Sequence, residues 1–279
     1  MSFIWYLNLA LGKVFELVLS PFAGLDPAWG LTVISVFTGV VMVFIFKYIS
    51  NQEGIRTAKA KVRGYFLEVW IYKHEFRNVF GSTGRILTAN FTYMKYAVAP
   101  LIVMIIPVIL IMVHLNLFYG FRGFKLGETI LVTVKWNDAG ALRDTTLSAK
   151  AESGLIIETK PTRTLGRNEA TWRLSGESEG SHVLKISWMN GEVAKEILID
   201  TGRIQKISPK KSRVSSLSEA LLSPGEKPLS DENGVIGIFV NYPEVKMNFL
   251  GFKLHWIIIF FILSIVAGFA LKGVFGVEI

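Results

Sequence analysis

The sequence has no cysteine among its 279 residues and only four histidines. Without cysteine, the protein can form no disulfide, no thiolate metal site and no cysteine nucleophile. The histidines fall in four different predicted segments, so one metal site would need drastic folding to collect them; they are His74, His114, His182 and His255. Glycine-rich phosphate loops, nucleophile elbows and paired-histidine motifs are also missing. The sequence therefore predicts a protein that is not an enzyme and that uses no metal or cofactor.

Charge is missing from three long stretches of the chain. Ala28–Phe46, Tyr96–Phe121 and Leu254–Leu271 contain no Asp, Glu, Lys or Arg. Each is about the length needed to cross a hydrocarbon core of roughly 30 Å at 1.5 Å per residue. These stretches predict three transmembrane helices, in residues 28–47, 96–121 and 249–279, the last with a short tail. The lipid bilayer is thus the first expected partner.

Positive charge is concentrated in a single segment. Residues 47–95 carry nine Lys or Arg against three Asp or Glu, a net charge of +6, whereas 17 basic and 16 acidic residues nearly cancel between 125 and 246. A basic excess can indicate nucleic-acid binding, but the positive-inside rule explains it by placing this loop in the cytoplasm. The N-terminus and residues 122–248 are then outside and the C-terminus is cytoplasmic. A prokaryotic inner membrane is the expected location.

Polar residues interrupt the apolar N-terminal segment Phe3–Ser20. Asn8, Gly12, Lys13 and Glu16 cluster on one side of a helix, which is typical of a helix lying in the membrane interface. Residues 1–27 are therefore predicted to form a retained interfacial helix on the outer side of the membrane.

The basic segment, residues 48–95, has the pattern of a helical hairpin. Its strongest turn signal is the Gly-Ser-Thr-Gly stretch Gly81–Gly84. The first arm presents a cytoplasmic basic surface formed by Arg56, Lys59, Lys61 and Arg63. These cations either contact anionic lipid headgroups or meet ribosomal RNA or the acidic parts of a nascent client.

The pattern changes to a period of two after Lys125, which predicts β-strands. An Asn-Gly pair at 190–191 between two alternating runs indicates a hairpin. Residues 122–248 are predicted to form an extracytoplasmic, all-β, sandwich-like domain, with residues 206–233 as a linker or excursion. The predicted strands are Thr129–Trp136, Gly154–Thr159, Ala170–Leu174, His182–Trp188, Glu192–Ile199 and Val235–Val240.

Two predicted spans each carry small, polar or flexible side chains on one face. In the first span these residues share an arc of roughly 120°, and in the second span they accompany Pro100 and Pro107. Such faces either pack helices together or line a partly polar groove in which methionines accommodate varied apolar guests. His114 has a further interpretation, an interfacial hydrogen-bonding histidine. The substrate-groove candidates are Thr32, Ser35, Thr38, Met42, Met104 and His114.

The order of these parts resembles the YidC-type insertase superfamily, including archaeal YidC-like proteins and the insertase subunit of the ER membrane complex. Phe46–Val62 is similar to the family's exit from the first span into the cytoplasmic hairpin. The resemblance implies a non-catalytic insertase, in which a groove open to cytoplasm and lipid lets short polar segments cross a locally thinned bilayer. The spans lack the groove arginine usual in bacterial members, and the β-rich segment lies between the second and third spans.

Two functions follow as hypotheses. The first is an insertase-like membrane chaperone with nascent or other membrane proteins as clients, working with a ribosome or translocon. The second is a non-catalytic scaffold, in which three spans anchor a β-sandwich that binds an envelope complex.

Overall fold

The computed structural model describes residues 2–72, 76–143, 146–189, 191–200, 202–214, 216–230 and 234–278. The chain divides into two compact units. Met1–Gly30 and Leu110–Trp256 form one, called the sandwich unit here, and Leu31–Ile109 and Ile257–Ile279 form the other, called the helical unit.

Seven α-helices lie in the described residues. Two of them, α2 and α4, are long and apolar enough to cross a membrane. The apolar α7 has 16 residues and so covers about 24 Å, less than a typical hydrocarbon core. The predicted third span is therefore shorter as a helix than expected from its sequence. The helices are α1 (Ser2–Leu19), α2 (Pro27–Ile49), α3 (Gln52–Ile71), α4 (Phe76–Tyr119), α5 (Gly140–Arg143), α6 (Leu217–Leu222) and α7 (Trp256–Leu271).

The helical hairpin of the helical unit turns earlier than predicted. The turn expected at Gly81–Gly84 is wrong, because α4 runs through this stretch without interruption. Instead α3 ends at Ile71, and residues 73–75, before α4 begins, lie outside the described residues. Glycines weaken a helix by up to about 1 kcal/mol each. Here Arg85 compensates by bonding both Glu68 at 2.6 Å and Ser82 Oγ at 3.1 Å, which ties this part of α4 to α3.

Small residues allow α2 and α7 to approach closely within the helical unit. A Cβ on Gly39 would overlap the carbonyl oxygen of Ser264 and would lie 3.1 Å from the Cβ of Ala267. On the same face of α7, a Cβ on Gly268 would lie 3.4 Å from Val43. Contacts of this kind between small residues stabilise helix pairs in membranes, where lipid is as apolar as the side chains.

Three antiparallel sheets lie in the described residues of the sandwich unit. A six-stranded sheet has the order β3-β5-β1-β9-β8 with β4 also paired to β5, a three-stranded sheet has the order β2-β6-β7, and β10 pairs with β11. One hydrophobic core combines side chains from the two larger sheets, including the fully buried Trp172 and Leu184. The strands are β1 (Thr129–Trp136), β2 (Ser148–Ala151), β3 (Leu155–Ile157), β4 (Thr162–Thr164), β5 (Glu169–Gly176), β6 (Gly180–Trp188), β7 (Gly191–Ile199), β8 (Lys210–Ser212), β9 (Val235–Val240), β10 (Met247–Phe249) and β11 (Phe252–Leu254).

The longer strands match their predicted positions. β1 and β9 have the expected bounds, and β6 and β7 form the hairpin predicted from Asn190-Gly191, with Trp188 opposite Gly191. Asn190 itself lies outside the described residues. β2, β4, β8, β10 and β11 were not predicted, because three or four residues are too few to show an alternating pattern.

A buried ion pair holds the predicted linker on the sandwich. Lys195 is fully buried in β7, contacts the carboxylate of Glu226 and donates to the carbonyl of Ser208 at 2.5 Å. Lys211 donates to Ala194 O at 2.7 Å. Burial lowers the pKa of Lys195, and the nearby Glu226 carboxylate opposes that shift. The described part of residues 206–233, which excludes 215 and 231–233, is thus a packed excursion and not a linker.

An ion pair also orders the connection from α4 to β1. The guanidinium of Arg122 contacts both carboxylate oxygens of Glu128, at 2.8 and 2.9 Å. The backbone N–H of Lys125 donates to the same carboxylate at 2.9 Å. The hydrogen bond from Arg122, aided by the backbone bond, lowers the pKa of Glu128 to about 2.

Replacing Gly39 by leucine is expected to destabilise the helical unit by about 2 kcal/mol or more, because the new side chain overlaps the α7 backbone. Thermal unfolding in detergent micelles measures this effect. Gly64→Ala is the matched control: it adds a methyl group where nothing lies within 4 Å, and it should leave the unfolding temperature unchanged or raise it. Equal unfolding temperatures for the Gly39 variant and the wild type would contradict the close packing.

Glu128→Gln is expected to lower the stability of the sandwich unit by at most about 1 kcal/mol at neutral pH, since the ion pair is partly exposed. The folded-state pKa lies below the ordinary 4.5, so the carboxylate stabilises above pH 4.5, and this contribution is lost as the pH falls toward 2. Denaturant unfolding of both proteins, followed by tryptophan fluorescence from pH 7 to 2, measures the difference. A difference that persists unchanged at pH 2 would contradict this assignment.

Candidate functional site

The polar face predicted on the first span is a buried face of α2. Ser35, Thr38 and Met42 are buried, and Thr32 is half-buried. The Ser35 hydroxyl donates to the carbonyl of Leu31 at 2.6 Å, so the helix satisfies it internally. Gly39, on the same face, is in close contact with α7. These observations favour helix packing over an open groove at this face.

The other two groove candidates lie in different units of the chain. Met104 belongs to the helical unit, where it is half-buried against a cluster that includes Val43, Phe46 and Ile55. His114 belongs to the sandwich unit and is fully buried. Met104 is therefore a packing residue of the hairpin base.

His114 connects α4 to the N-terminal helix within the sandwich unit. Its Nδ1 lies 2.8 Å from Leu110 O and its Nε2 lies 3.3 Å from Asn8 O, and the ring stacks on Phe15 at 5.3 Å between centroids. The buried Asn8 in turn donates to Ala220 O in α6 at 2.7 Å. The predicted hydrogen-bonding histidine thus contacts protein carbonyl groups.

The polar side of α1 faces protein at Asn8 and Gly12, whereas Lys13 and Glu16 on the same side are exposed. Asn8 and Gly12 are buried, and Glu16 lies 3.9 Å from the ammonium of Lys206. Large apolar side chains on the other sides, among them Tyr6 and Leu17, are exposed. Polar and apolar side chains lie on different sides of α1, as expected. On the polar side, Asn8 bonds to Ala220 and Glu16 lies near Lys206, both in the excursion.

Three of the four predicted cations on the first hairpin arm are exposed. Arg56, Lys61 and Arg63 lie on the surface of α3. Lys59 is half-buried, with its ammonium 3.3 Å from Glu278 and 5.8 Å from the ring centre of Tyr93. The available basic surface is accordingly smaller than predicted, because Lys59 binds the C-terminal segment.

A groove of 510 Å³ lies between α3 and α4 in the helical unit, and sequence analysis did not predict it. Its floor is made of small side chains, with Ala58 and Ala89 buried between the two arms. The side chains lining it are those of Asn51, Glu53, Gly54, Thr57, Ala58, Lys61, Tyr65, Arg85, Thr88, Ala89, Thr92 and Tyr96. The feature of the sequence that could have indicated this groove is the recurrence of small residues at helical spacing on both arms, such as Ala58 on α3 and Ala89 on α4.

The groove has polar walls and carries charges of both signs, since Glu53 lines it and Arg85 is paired with Glu68 at 2.6 Å. Lys61 and Arg85 line it on opposite arms, against the single carboxylate of Glu53. Arg85 is oriented by Glu68 and lies 5.4 Å from the ring centre of Tyr65. The arrangement suits non-covalent binding of a hydrophilic segment. Among the residues that the structure describes, no cluster of His, Asp and Glu could hold a metal ion.

Comparison with protein families, with curated proteins and with solved structures found no match to this chain.

Proposed function

We propose that the protein is an insertase-like membrane chaperone that assists the insertion or folding of other membrane proteins. The observation that carries the proposal is the position of the hairpin groove. Asn51, at one end of the groove, follows α2 by two residues, and Tyr96 begins the charge-free part of α4. The groove therefore opens where two apolar helices leave the hairpin.

The proposed topology follows from length and charge. α2 and α4 cross a prokaryotic inner membrane, and the shorter α7 forms a third span within a locally thinned bilayer. The net charge of +6 in residues 47–95 places the hairpin and the C-terminus in the cytoplasm. The β-sandwich and the N-terminus are then outside, where the exposed apolar side of α1 contacts lipid.

The proposed mechanism is binding without chemistry. Arg56, Lys61 and Arg63 attract acidic parts of a client, a ribosome or lipid headgroups to the hairpin. The polar groove then shelters a hydrophilic client segment beside the membrane, which lowers the cost of removing it from water. The receiving surface is the hairpin groove, since the α2 face with Ser35 and Thr38 is buried.

A photo-crosslinking side chain at Thr92, inside the groove, is expected to capture newly made membrane proteins in cells, and halting translation should abolish the products. Thr88→Trp, which fills the groove, should lower these crosslinks about tenfold, an effect equivalent to losing roughly 1.4 kcal/mol of binding. Mass spectrometry of the products identifies the clients.

Ala60→Trp is the matched control, because Ala60 is exposed on α3 and does not line the groove. This variant should keep the crosslinks at Thr92. A steady partner that is captured regardless of translation, or equal effects of the two tryptophans, would refute the chaperone proposal.

A scaffold is the second candidate, favoured by the complete hydrophobic core of the sandwich unit. In this case the outer domain binds a protein of the cell envelope. Deleting residues 125–246 should then abolish capture of that partner from solubilised membranes, while the expression level measured by blotting serves as the control. Partner capture that survives the deletion would exclude the scaffold.

A further inference from the structure

Helix α4 carries an exposed apolar stripe at heptad spacing. Leu87, Phe91, Met94, Val98, Leu101 and Ile105 follow one another at alternating steps of four and three residues. Their side chains are between 43% and 69% exposed. Phe80, which is 81% exposed, and Gly84 extend the same spacing toward the start of the helix. We call this surface the α4 seam.

The opposite face of α4 is already occupied within the helical unit. Ser82 and Ala89 are buried, and Thr92 and Tyr96 line the groove toward α3. At 100° per residue, Ser82, Ala89 and Tyr96 lie roughly 140–180° around the helix from Phe91, and Thr92 lies about 100° from it. The seam is therefore a separate surface, and none of its side chains lines the hairpin groove.

A repeat of 3.5 residues is the pattern with which one helix packs along another in a coiled coil. Lipid alone requires an apolar surface without such a repeat. The repeat distinguishes the seam from the rest of α4 from Phe80 to Leu101, whereas Ile102, Val103 and Ile106 beyond it are exposed on other sides. From Phe80 to Ile105 the seam extends about 38 Å, which exceeds a hydrocarbon core of about 30 Å. The portion from Phe80 to Met94 also precedes the charge-free part of the helix, so a lipid-spanning client helix of ordinary length would not cover it.

We propose that the α4 seam binds the α4 seam of a second copy of this chain, as a parallel two-stranded coiled coil. Both copies share one membrane topology, so a two-fold axis along the membrane normal brings equal residues together over the full length. A second α4 is apolar over both the span and its extension. The inference rests on the proposed membrane insertion of α4 and is independent of client binding.

The charges that flank the seam are compatible with this pairing. In a parallel coiled coil with Leu87 and Met94 at d positions, Asn90 of one copy lies opposite Lys95 of the other. The ammonium then meets an amide oxygen, and no two like charges meet across the axis. Arg85 lies beside the groove, away from the seam.

The absence of cysteine makes a direct test possible, since single cysteines can be introduced into an otherwise unreactive chain. Full-length Leu87→Cys and Phe91→Cys variants are oxidised in native membranes, and covalent dimers are measured by non-reducing electrophoresis. The expected result is strong dimer formation at both positions. Leu67→Cys, equally exposed on α3 at 60%, is the matched control and should give at least about tenfold less dimer, because disulfides require Cα atoms within about 7 Å.

Each other outcome overturns the proposal. A lack of dimer at Leu87 and Phe91, equal dimer at Leu67, or disulfides to a different protein would exclude a seam between copies. A spin label at Leu87 that is fully accessible to a lipid-soluble quencher would show that lipid covers the seam.

A second variant separates this inference from the proposed function. Phe91→Glu should abolish disulfide formation at Leu87→Cys, whereas Leu67→Glu should leave it unchanged. If Leu87→Cys gives no dimer while clients still crosslink at Thr92, the seam proposal fails alone. If dimers form without any client crosslinks at Thr92, the chaperone proposal fails alone.

Discussion

The absence of charge over the apolar lengths of α2 and α4 is the constraint on which the rest of the structure depends. Hydrocarbon offers no hydrogen bonds, so each polar group within such a helix needs a partner from the protein itself. Ser35 bonds back to Leu31, and His114 lies against the carbonyls of Leu110 and Asn8. These two polar side chains inside the apolar helices are therefore occupied by hydrogen bonds to protein carbonyl groups. The charged side chains of the groove, Lys61 and Arg85 among them, lie outside these apolar lengths.

The long helix α4 contributes to two surfaces, because small side chains lie on one side of it and large apolar side chains on another. Small residues such as Ala89 face α3 and create the groove, whereas large apolar residues such as Phe91 point away from it. Pairing two copies through the large residues would leave the groove side formed by Ala89 and Tyr96 free, since these residues lie roughly 140–160° around the helix from Phe91. A dimer of this kind presents two grooves around one axis. Client binding and self-association are then compatible uses of one helix.

Composition and periodicity predicted the apolar helices, the hairpin and the long strands, because each depends on a repeat that local sequence displays. The prediction of a turn at Gly81–Gly84 was wrong: α4 continues through these residues, and the bond from Arg85 to Glu68, which joins α4 to α3, is between residues 17 apart in the sequence. The packed state of the excursion depends on Lys195 meeting Glu226, 31 residues away. The hairpin groove likewise requires the register of two helices. Such register is not visible in local sequence, although small residues on both arms mark where the groove lies; Arg56 of the predicted basic surface is exposed.

Hydrogen bonds join the strands and the excursion of the sandwich unit to the end of α4 and to α1. This bears on the choice between a chaperone and a scaffold. Ile207 donates from its backbone to Leu117 O at 2.7 Å, and Arg122 donates to Pro243 O at 3.0 Å. The buried Asn8 of α1 bonds Ala220 in the excursion. The strands, the excursion, α1 and the end of α4 therefore share hydrogen bonds within one compact unit. This continuity is more than an independent binding module requires, and it favours the proposal in which the sandwich and the helix ends act together.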